Sequence, residues 1–415
     1  MKWLCLKLEA YTLKVSSHSR MSRKRMELGV ALFTTPYSLF SDPCKMLWME
    51  TTTIAGAKVS RIGLGTWEIG GLDWGAVPDD VAVATCLSAV ERGINLIDTA
   101  PIYGAGRSEE IVGKAMRAHG RREDFYIATK AGLERNSFGV FSNSNGPRLR
   151  AELEASLRRL GTEYIDLYQV HWPDTRTPIA ETAALLAGFE REGKVRALGV
   201  SNFSVAQMDD FRSVAPLASN QPPYNIFDRQ IDETIRPWCA ANGVAILCYS
   251  PLCRSLLAGR VTRGMNFDPK DIRSFDPKFK EPRFSQYVTA VERLAALARE
   301  RYGKSVLELA VRWVLDRPGI SVALWGARRP GQLDAVAGVM GWKLDAAAMA
   351  EIDRIVAESV TDPVGPEYLT PKVRRDCGAR RVLPMSQAER RVGLPEKIPA
   401  HPPPGSAILV CYAYR

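Results

Sequence analysis

Along the middle of the chain, short runs of apolar and β-branched residues alternate with longer segments in which apolar residues recur at helical spacing. Eight of the short runs predict β-strands, at residues 61–67, 95–100, 125–132, 165–172, 195–203, 216–225, 244–252 and 320–328. Strands that alternate with helices form parallel sheets, and eight such units in succession are typical of a sheet that closes on itself. The pattern therefore predicts an α/β fold of the (β/α)8 TIM barrel type.

The helical segments carry signals for where the helices begin and end. In RLRAELEASLRRLG, residues 148–161, leucines recur at positions that share one helix face. In SEEIVGKAMRAHG, residues 108–120, we expect Ser108 to cap the helix N-terminus and Gly120 to end the helix. These signals support helices between the predicted strands.

The segments around the strands bear on the choice between a closed barrel and its alternative, an open doubly wound sheet. An open sheet would bind a dinucleotide through a G-x-G-x-x-G turn after an early strand. The chain has GLGTWEIGG at residues 63–71, which lacks that spacing. TTTIAGAKVS, residues 51–60, predicts a β-hairpin that caps the bottom of the barrel. The longest loop, residues 253–285, follows the seventh strand, and we expect it to fold over a ligand.

The net charge of +10 is concentrated at the two ends of the chain. Residues 1–48 have a net charge of +5 and residues 375–415 of +4, which leaves +1 for residues 49–374. We therefore expect no nucleic-acid binding by the body, since a basic face is the usual footprint. Both ends lack sustained periodicity, so we predict poorly ordered extensions flanking a barrel at 49–374. RMSRKRM near the start weakly resembles part of an organelle transit peptide, and a true start near Met49 is the alternative.

Cysteine and histidine usage bounds the compartment and the chemistry. The eight cysteines form no C-x-x-C pair, and several lie in apolar runs such as AILCYS at residues 245–250. This pattern favours reduced thiols in a cytoplasmic protein over a disulfide framework or a zinc site. There are four histidines, too few for a His-rich metal centre. No run of about 18 apolar residues appears, so we expect no membrane association, and no obligate protein partner is evident.

Ionisable side chains stand where the predicted strands end, and barrel enzymes hold their chemistry at those carboxyl ends. Asp98 ends the second strand, Lys130 the third and His171 the fourth, while Tyr103 follows Asp98 in its loop. An acid at the mouth of a buried strand needs a partner, and Lys130, one strand away, is the candidate. Each residue alone could be structural, as an ion pair, a core histidine or a loop filler. Together the four predict an active site.

The chemistry of these four residue types is that of a general acid. A tyrosine has an ordinary pKa near 10 and is a poor proton donor at neutral pH. We expect a buried Lys130 ammonium to stabilise the phenolate and lower the pKa of Tyr103, with Asp98 holding the ammonium in place. His171 would add a hydrogen bond to the same substrate oxygen. Such a device suits a carbonyl that receives a hydride.

Five motifs in this order resemble the aldo-keto reductase superfamily: GLGTWEIGG, DTAPIYG, GVSNF, QPPYN and GAR. The resemblance covers roughly residues 50–374. It implies a barrel that binds NADP(H) without a Rossmann domain and reduces aldehydes or ketones to alcohols. It also implies that Tyr103 is the acid and that Asp98, Lys130 and His171 complete the catalytic four. The substrate would be a small-molecule carbonyl compound, and there is distant similarity to potassium-channel β-subunits.

The resemblance further implies a set of cofactor-binding residues, grouped by the part of NADP(H) that they would contact. Near the nicotinamide and the mouth they are Thr66, Trp67, Ser201, Asn202, Gln221 and Tyr249. At the pyrophosphate they are Ser250, Leu252 and Arg254. At the adenosine end they are Gly326, Arg328 and Gln332, with the Arg328 guanidinium facing the 2′-phosphate. The chain departs from the family pattern at CRS, residues 253–255, where Gly-Arg-Gly is common, and at Val336, where an adenine-contacting Asn is common.

The substrate pocket is expected to be apolar and aromatic, lined by Trp67, Trp172 and Phe203. Two other classes of function stay open at this point. One is a binding subunit that senses redox state through bound NADP, as the potassium-channel β-subunits do. The other is a barrel enzyme of different chemistry, such as a metal-dependent hydrolase, although such sites need several ligands and only His171 stands at a strand end.

Overall fold

The computed structural model describes residues 49–372 apart from Asp73 and Phe138, so the predicted extensions lie outside the described residues. The strands are β1 (Thr51–Ile54), β2 (Ala57–Ser60), β3 (Ile62–Gly65), β4 (Leu96–Asp98), β5 (Tyr126–Ala131), β6 (Leu133–Asn136), β7 (Gly139–Ser142), β8 (Leu167–Val170), β9 (Leu198–Ser201), β10 (Ser219–Gln221), β11 (Ala245–Cys248) and β12 (Ile320–Gly326). Eight of them form a closed parallel barrel in the order β3-β4-β5-β8-β9-β10-β11-β12, and β12 pairs with β3 to complete the ring. The predicted (β/α)8 barrel is confirmed, with a strand inside each of the eight predicted runs.

Two antiparallel hairpins lie outside the barrel. The first joins β1 and β2, and its buried Ile54 and Val59 pack against barrel residues such as Leu96 and Leu167, so the predicted N-terminal hairpin is confirmed. The second joins β6 and β7 and directly follows the third barrel strand. The sequence pattern did not reveal this second hairpin.

The helices surround the barrel and alternate with its strands. They are α1 (Trp67–Gly70), α2 (Asp79–Glu91), α3 (Arg107–His119), α4 (Gly146–Leu160), α5 (Ile179–Arg191), α6 (Val205–Arg212), α7 (Ile235–Asn242), α8 (Arg283–Tyr302), α9 (Val306–Asp316), α10 (Val336–Val339) and α11 (Ala346–Ser359). Their apolar faces pack on the outward side chains of the strands, as Phe189 of α5 does on Tyr168 of β8, with ring centroids 6.4 Å apart. None of the described helices is both long and apolar enough to span a membrane.

The predicted boundaries of α3 are right at one end and wrong at the other. Gly120 ends the helix with a φ of 81°, a left-handed conformation that glycine adopts readily, as predicted. Ser108 does not cap the helix, because α3 begins one residue earlier and Gly106 occupies the cap position. The Ser108 hydroxyl instead lies 2.7 Å from the Thr66 hydroxyl and 2.9 Å from that of Thr99, so it ties the helix to the ends of two barrel strands.

Candidate active site

A cavity of about 430 Å³ opens at the carboxyl ends of the barrel strands. Residues at or directly after seven strand ends line it, namely Gly65, Asp98, His171, Ser201, Gln221, Tyr249 and Gly326. Most of the rest of the wall comes from the segments after β3, β4, β5, β8, β9 and β11 and from the chain beyond α11. Most of the side chains predicted from the strand ends therefore line one cavity, although Lys130 and Arg328 are not among its lining residues.

Asp98, Lys130 and Tyr103 are linked by hydrogen bonds at the cavity wall, which Asp98 and Tyr103 line and behind which Lys130 is fully buried. The Lys130 ammonium donates to Asp98 Oδ2 at 2.7 Å and to the Thr99 carbonyl at 3.0 Å. It also lies 3.1 Å from the Tyr103 hydroxyl. The side chains of Lys130 and Asp98 are 0% and 4% exposed, so water hardly competes for either charge. This is the pairing that the acid at the end of β4 required.

The electrostatics of Tyr103 correct one expectation. Burial raises the pKa of Tyr103 well above 10, and the negative charges of Asp98 and Glu68 raise it further. The net pKa of Tyr103 is therefore raised and not lowered as expected, because burial, the largest cause, outweighs the effect of the Lys130 ammonium 3.1 Å from the hydroxyl. Burial also lowers the pKa of Lys130, while Asp98 opposes that shift. Tyr103 accordingly keeps its proton over the physiological pH range.

His171 completes the group from the neighbouring strand. Its ring contacts the Tyr103 ring edge to face, with centroids 5.7 Å apart. Burial and the nearby Lys130 charge lower the pKa of His171 well below its usual value near 6.5. The imidazole is therefore neutral, and a neutral ring can donate one hydrogen bond without carrying charge into the cavity. The Trp67 ring stacks on the Tyr103 ring, with centroids 6.1 Å apart.

Asp98, Tyr103, Lys130 and His171 together are called the acid group below. The residues expected at the nicotinamide end are hydrogen-bonded to one another and to Asp98 of that group. Gln221 donates to Asp98 Oδ1 at 2.8 Å, and the Ser201 hydroxyl donates to the Gln221 carbonyl at 2.7 Å. The Tyr249 hydroxyl donates to Asn202 Oδ1 at 3.0 Å. Asn202 has a φ of 62°, a strained conformation for a residue other than glycine. These contacts fix the side-chain orientations before any ligand binds.

The loop after β11 has the backbone of an anion site. Four residues other than glycine have positive φ there, between 46° and 68°: Ser250, Cys253, Arg254 and Ser255. Successive N–H groups in such turns form concave binding sites for anions. Arg254 is 5% exposed, its Nη1 donates to Asp276 at 2.9 Å, and its Nε has no hydrogen-bond partner among the described residues. A strained loop with an unpartnered guanidinium nitrogen suits the pyrophosphate of a dinucleotide.

Of the residues expected at the adenosine end, Gly326 lines the cavity at the end of β12, whereas Arg328 and Gln332 lie outside its lining residues, in an outer part of the site that we call the rim. Arg328 Nη2 donates to the carbonyls of Gly75 and Ala76 at 3.1 Å each, and the Arg328 backbone N–H donates to Gln332 Oε1 at 2.7 Å. Gln332 thus holds the turn after β12, and Arg328 reaches across to the loop after α1. Further in, Gly326 allows the Glu68 carboxyl to lie against the backbone, because a Cβ at position 326 would collide with it.

Two residues expected to line the cavity lie behind its wall instead. Thr66 is fully buried, and its hydroxyl donates to the Asp98 carbonyl at 2.7 Å, so it braces the end of β4. Phe203 is 2% exposed and packs in the layer between the barrel and the helices. The chain bends after Ser201, and the outward side of that bend takes the aromatic ring. Trp67 and Trp172 do line the cavity, as does Leu252.

Three wall segments were not identified from the sequence. Glu68 lies beside Gly326, and burial raises the pKa of its carboxyl to about 7, with Asp98 adding to the shift and Arg328 opposing it. The second hairpin contributes Leu133 and Val140, and the chain beyond α11 contributes residues 368–372. Glu68 was visible within GLGTWEIGG as an acid in an apolar motif. The other two segments have no periodicity that would have placed them here.

The described cysteines offer no alternative nucleophile. Cys86, Cys239, Cys248 and Cys253 are buried free thiols, and burial raises the pKa of each, to about 12 for Cys86 and Cys239. A thiol with a raised pKa carries little of the reactive thiolate. Within the described part of the chain, no three His, Cys, Asp or Glu side chains are grouped so that they could hold a metal ion.

Comparison with known proteins identifies relatives of this barrel. Over 330 residues the chain is 50% identical to the aldo-keto reductase YhdN of Bacillus subtilis strain 168, which spans 79% of this chain and 100% of that protein. It is 36% identical over 304 residues to the NADH-specific methylglyoxal reductase of Escherichia coli K12, spanning 70% of this chain and 91% of that one. The solved structure of the glycerol dehydrogenase AKR11B4 from Gluconobacter oxydans superposes with a TM-score of 0.70 at 48% identity, over 76% of this chain and 98% of that chain.

The family assignment follows from these relatives and from a sequence profile. Residues 61–357, which include every barrel strand from β3 to β12, match the profile of the Aldo/keto reductase family. The matched region also contains Asp98, Tyr103, Lys130 and His171 and the loop after β11. The chain belongs to the aldo/keto reductase family of NAD(P)H-dependent oxidoreductases, which reduce carbonyl groups.

Proposed function

We propose that this chain reduces an aldehyde or ketone to an alcohol, with NADPH as hydride donor and Tyr103 as the proton donor. The observation that carries the proposal is the Lys130 ammonium, 2.7 Å from Asp98 and 3.1 Å from the Tyr103 hydroxyl, beside a neutral His171 in one cavity. A reduced carbonyl needs a proton on its oxygen, and Tyr103 and His171 line the same cavity with ring centroids 5.7 Å apart, so both could reach that oxygen.

Each of the four residues has a distinct role in the proposal. His171, being neutral, donates a hydrogen bond that polarises the carbonyl without adding charge. Tyr103 keeps its proton until the carbonyl oxygen becomes an alkoxide, which is a stronger base than a phenolate. Lys130 then stabilises the phenolate that remains, and Asp98 keeps Lys130 charged and oriented. The raised pKa of Tyr103 thus protects the donor from premature ionisation.

The nicotinamide cofactor supplies the hydride when bound, and the chain's residues would hold it. Gln221, Ser201 and Asn202 offer amide and hydroxyl groups to a carboxamide, and Tyr249 offers a ring face at the cavity wall. The left-handed turns at residues 250–255 and Arg254 would take the pyrophosphate. At the rim, Arg328 favours the 2′-phosphate of NADPH because a guanidinium is a rigid fork of donors.

The substrate is expected to be a small carbonyl compound that tolerates aromatic walls. Trp67 and Trp172 line the cavity, and Leu133 and Val140 add apolar surface to it. One relative is named as a methylglyoxal reductase and another as a glycerol dehydrogenase. Reduction of methylglyoxal and oxidation of glycerol are therefore two reactions to test.

Buried free thiols at Cys86, Cys239, Cys248 and Cys253 suit a cytoplasmic setting.

A carbonyl panel that follows NADPH absorbance tests the proposal. We expect turnover with simple aldehydes such as methylglyoxal or 4-nitrobenzaldehyde, a lower rate with NADH, and strong loss of turnover in Tyr103→Phe. Binding of NADPH without turnover of any carbonyl or alcohol would contradict the proposal. It would favour a redox-sensing binding protein in its place.

A further inference from the structure

The chain beyond α11 returns across the mouth of the cavity and contacts the anion-binding loop through one side chain. The Tyr368 hydroxyl donates to Asp276 Oδ2 at 2.7 Å. The Arg254 guanidinium lies over the Tyr368 ring, 5.0 Å from its centroid. Tyr368 is half-buried and lines the same cavity as Arg254. A residue from outside the barrel therefore contacts both members of a buried ion pair.

Asp276 is the centre of this contact. Its Oδ2 also accepts from Arg254 Nη1 at 2.9 Å, and its Oδ1 accepts from the Lys278 backbone at 2.9 Å. The Arg254 and Asp276 side chains are 2% and 0% exposed. Both carboxylate oxygens of Asp276 thus accept hydrogen bonds, and Tyr368 is one of the donors. The position of Asp276 therefore depends on Tyr368 as well as on Arg254.

The loop that this contact supports has a strained backbone. Cys253, Arg254 and Ser255 have φ values of 46°, 51° and 68° in succession. Residues other than glycine adopt such backbone conformations at a cost, and they persist where surrounding contacts hold them. The Arg254 side chain is held by its ion pair with Asp276 and by the Tyr368 ring beneath it, and the Tyr368 hydroxyl also donates to Asp276.

At its other end the same segment is fastened to the second hairpin. The Lys372 backbone N–H donates to the Val140 carbonyl at 3.0 Å, and Lys372 forms a parallel bridge with Phe141. Residues 368–372 thus connect the loop after β11 to the β6–β7 hairpin across the cavity mouth. The β6–β7 hairpin, which forms a wall of the proposed substrate pocket, is thereby joined to the loop proposed to bind the cofactor.

We propose that Tyr368 is a positioning residue that, through Asp276 and Arg254, holds the loop after β11 in its anion-binding shape. In this role Tyr368 contacts neither the substrate carbonyl nor the hydride that the cofactor transfers. It couples the wall of the substrate cavity to the affinity for the dinucleotide, so that loosening the wall weakens cofactor binding. This inference rests on the proposed nicotinamide cofactor site and adds to it a residue outside the barrel.

Tyr368→Phe is the test, because it removes the hydroxyl and keeps the ring over Arg254. Fluorescence titration of the full chain should show NADPH binding about 5- to 20-fold weaker, as expected for losing a hydrogen bond to a charged group through one intermediary. The rise in melting temperature produced by NADP⁺ should shrink in parallel. With cofactor saturating, the KM for the carbonyl should stay within about twofold, since the ring still lines the cavity.

Two further variants separate positioning from general stability. Tyr302→Phe is the matched control, because its hydroxyl bonds Asp345 at 3.0 Å on the surface between α8 and α11, and NADPH binding should not change. Asp276→Asn should weaken NADPH binding at least as much as Tyr368→Phe, and the double variant should show less than the sum of the two losses.

The outcomes distinguish this inference from the proposed function. If the parent chain and Tyr368→Phe bind NADPH within twofold of each other, the positioning role is wrong while the reductase stands. A parent chain that binds neither NADPH nor NADH would overturn both. If Tyr368→Phe lowers the melting temperature of the ligand-free chain but leaves NADPH affinity intact, Tyr368 is a stability residue only.

Discussion

The acid end of the cavity and its rim differ in how their side chains are held. At the acid end, Asp98, Lys130 and Gln221 come from the ends of barrel strands, are buried, and bond one another at 2.7 and 2.8 Å. At the rim, Arg328 is bonded to loop carbonyls at 3.1 Å, and Tyr368 comes from beyond the last helix. Strand register fixes the first set, whereas loop contacts fix the second. We infer that the geometry of the acid end is rigid, whereas the geometry of the rim, where cofactor and substrate would be selected, is more adjustable.

The largest expected effect tests the rigid end. Tyr103→Phe keeps the ring and its contact with Trp67 but removes the proton donor. General acid catalysis contributes roughly a hundred- to ten-thousand-fold, so kcat for carbonyl reduction should fall by that order while NADPH affinity persists. Steady-state kinetics together with fluorescence titration would measure both. If Tyr103→Phe reduced the carbonyl at nearly the parental rate, Tyr103 would not be the proton donor, and His171 would be the next candidate.

A related substitution tests the pairing beneath Tyr103. Lys130→Met removes the ammonium 3.1 Å from the phenol, and the rate loss should approach that of Tyr103→Phe. The two losses should not add in the double variant, because both act on one proton transfer. Additive losses would show that Lys130 serves a step separate from the one that Tyr103 serves. The change also leaves Asp98 buried and without its cation, so folding must be checked by circular dichroism.

A smaller effect is expected at the rim. Arg328→Ala removes the guanidinium proposed to face the 2′-phosphate, and a charge-assisted contact contributes about 1.5–3 kcal/mol, or roughly ten- to a hundred-fold in affinity. NADPH binding should weaken by that factor and NADH binding should stay nearly unchanged. Equal weakening of both would mean that Arg328 acts by holding the carbonyls of Gly75 and Ala76, not by binding phosphate.

The contrast between the two ends also explains what the sequence could predict. Asp98, Lys130 and His171 were predictable because the strand runs were clear and barrel chemistry sits at strand ends. The barrel order and the N-terminal hairpin followed from the same alternation of patterns. Tyr103 could be placed in the site from the turn after β4, because a short turn leaves little choice of position.

The parts that sequence patterns missed depend on tertiary contacts. The β6–β7 hairpin has Arg135 and Asn136 exposed, and no clear alternation marks it. The segment that carries Tyr368 has neither helical nor strand periodicity, and the contact with Asp276 gives it its place. The direction of the Tyr103 pKa depended on burial and on the charge of Glu68, which no spacing along the chain reveals.

The pH dependence of stability offers a test at Glu68, whose pKa is affected both by Asp98 at the acid end of the cavity and by Arg328 at the rim. Its pKa in the folded chain is raised to about 7 from an ordinary value of 4.5. Between those values the folded state binds more protons than the unfolded state, so this group's contribution to stability falls as pH rises, and the full cost is present above about pH 7. Glu68→Gln should therefore raise the melting temperature by roughly 2 °C at pH 8, and by less at pH 5. A gain that is the same at both pH values would mean that charge on Glu68 is not the cause.

The smallest expected effect concerns the two ends of the chain, where charge without periodicity predicts little buried apolar area. A chain of residues 49–374 keeps every described residue, including the segment that bonds Val140 and Asp276. Its melting temperature should stay within about 2–3 °C of the full chain and its turnover should be unchanged. A second shortened chain, ending at residue 364, also loses Tyr368 and the cavity wall at residues 368–372, so it should bind NADPH more weakly while the acid group stays intact. If residues 49–374 were insoluble, the removed ends would contribute to the fold. If both shortened chains bound NADPH equally, the rim would not depend on the segment beyond α11.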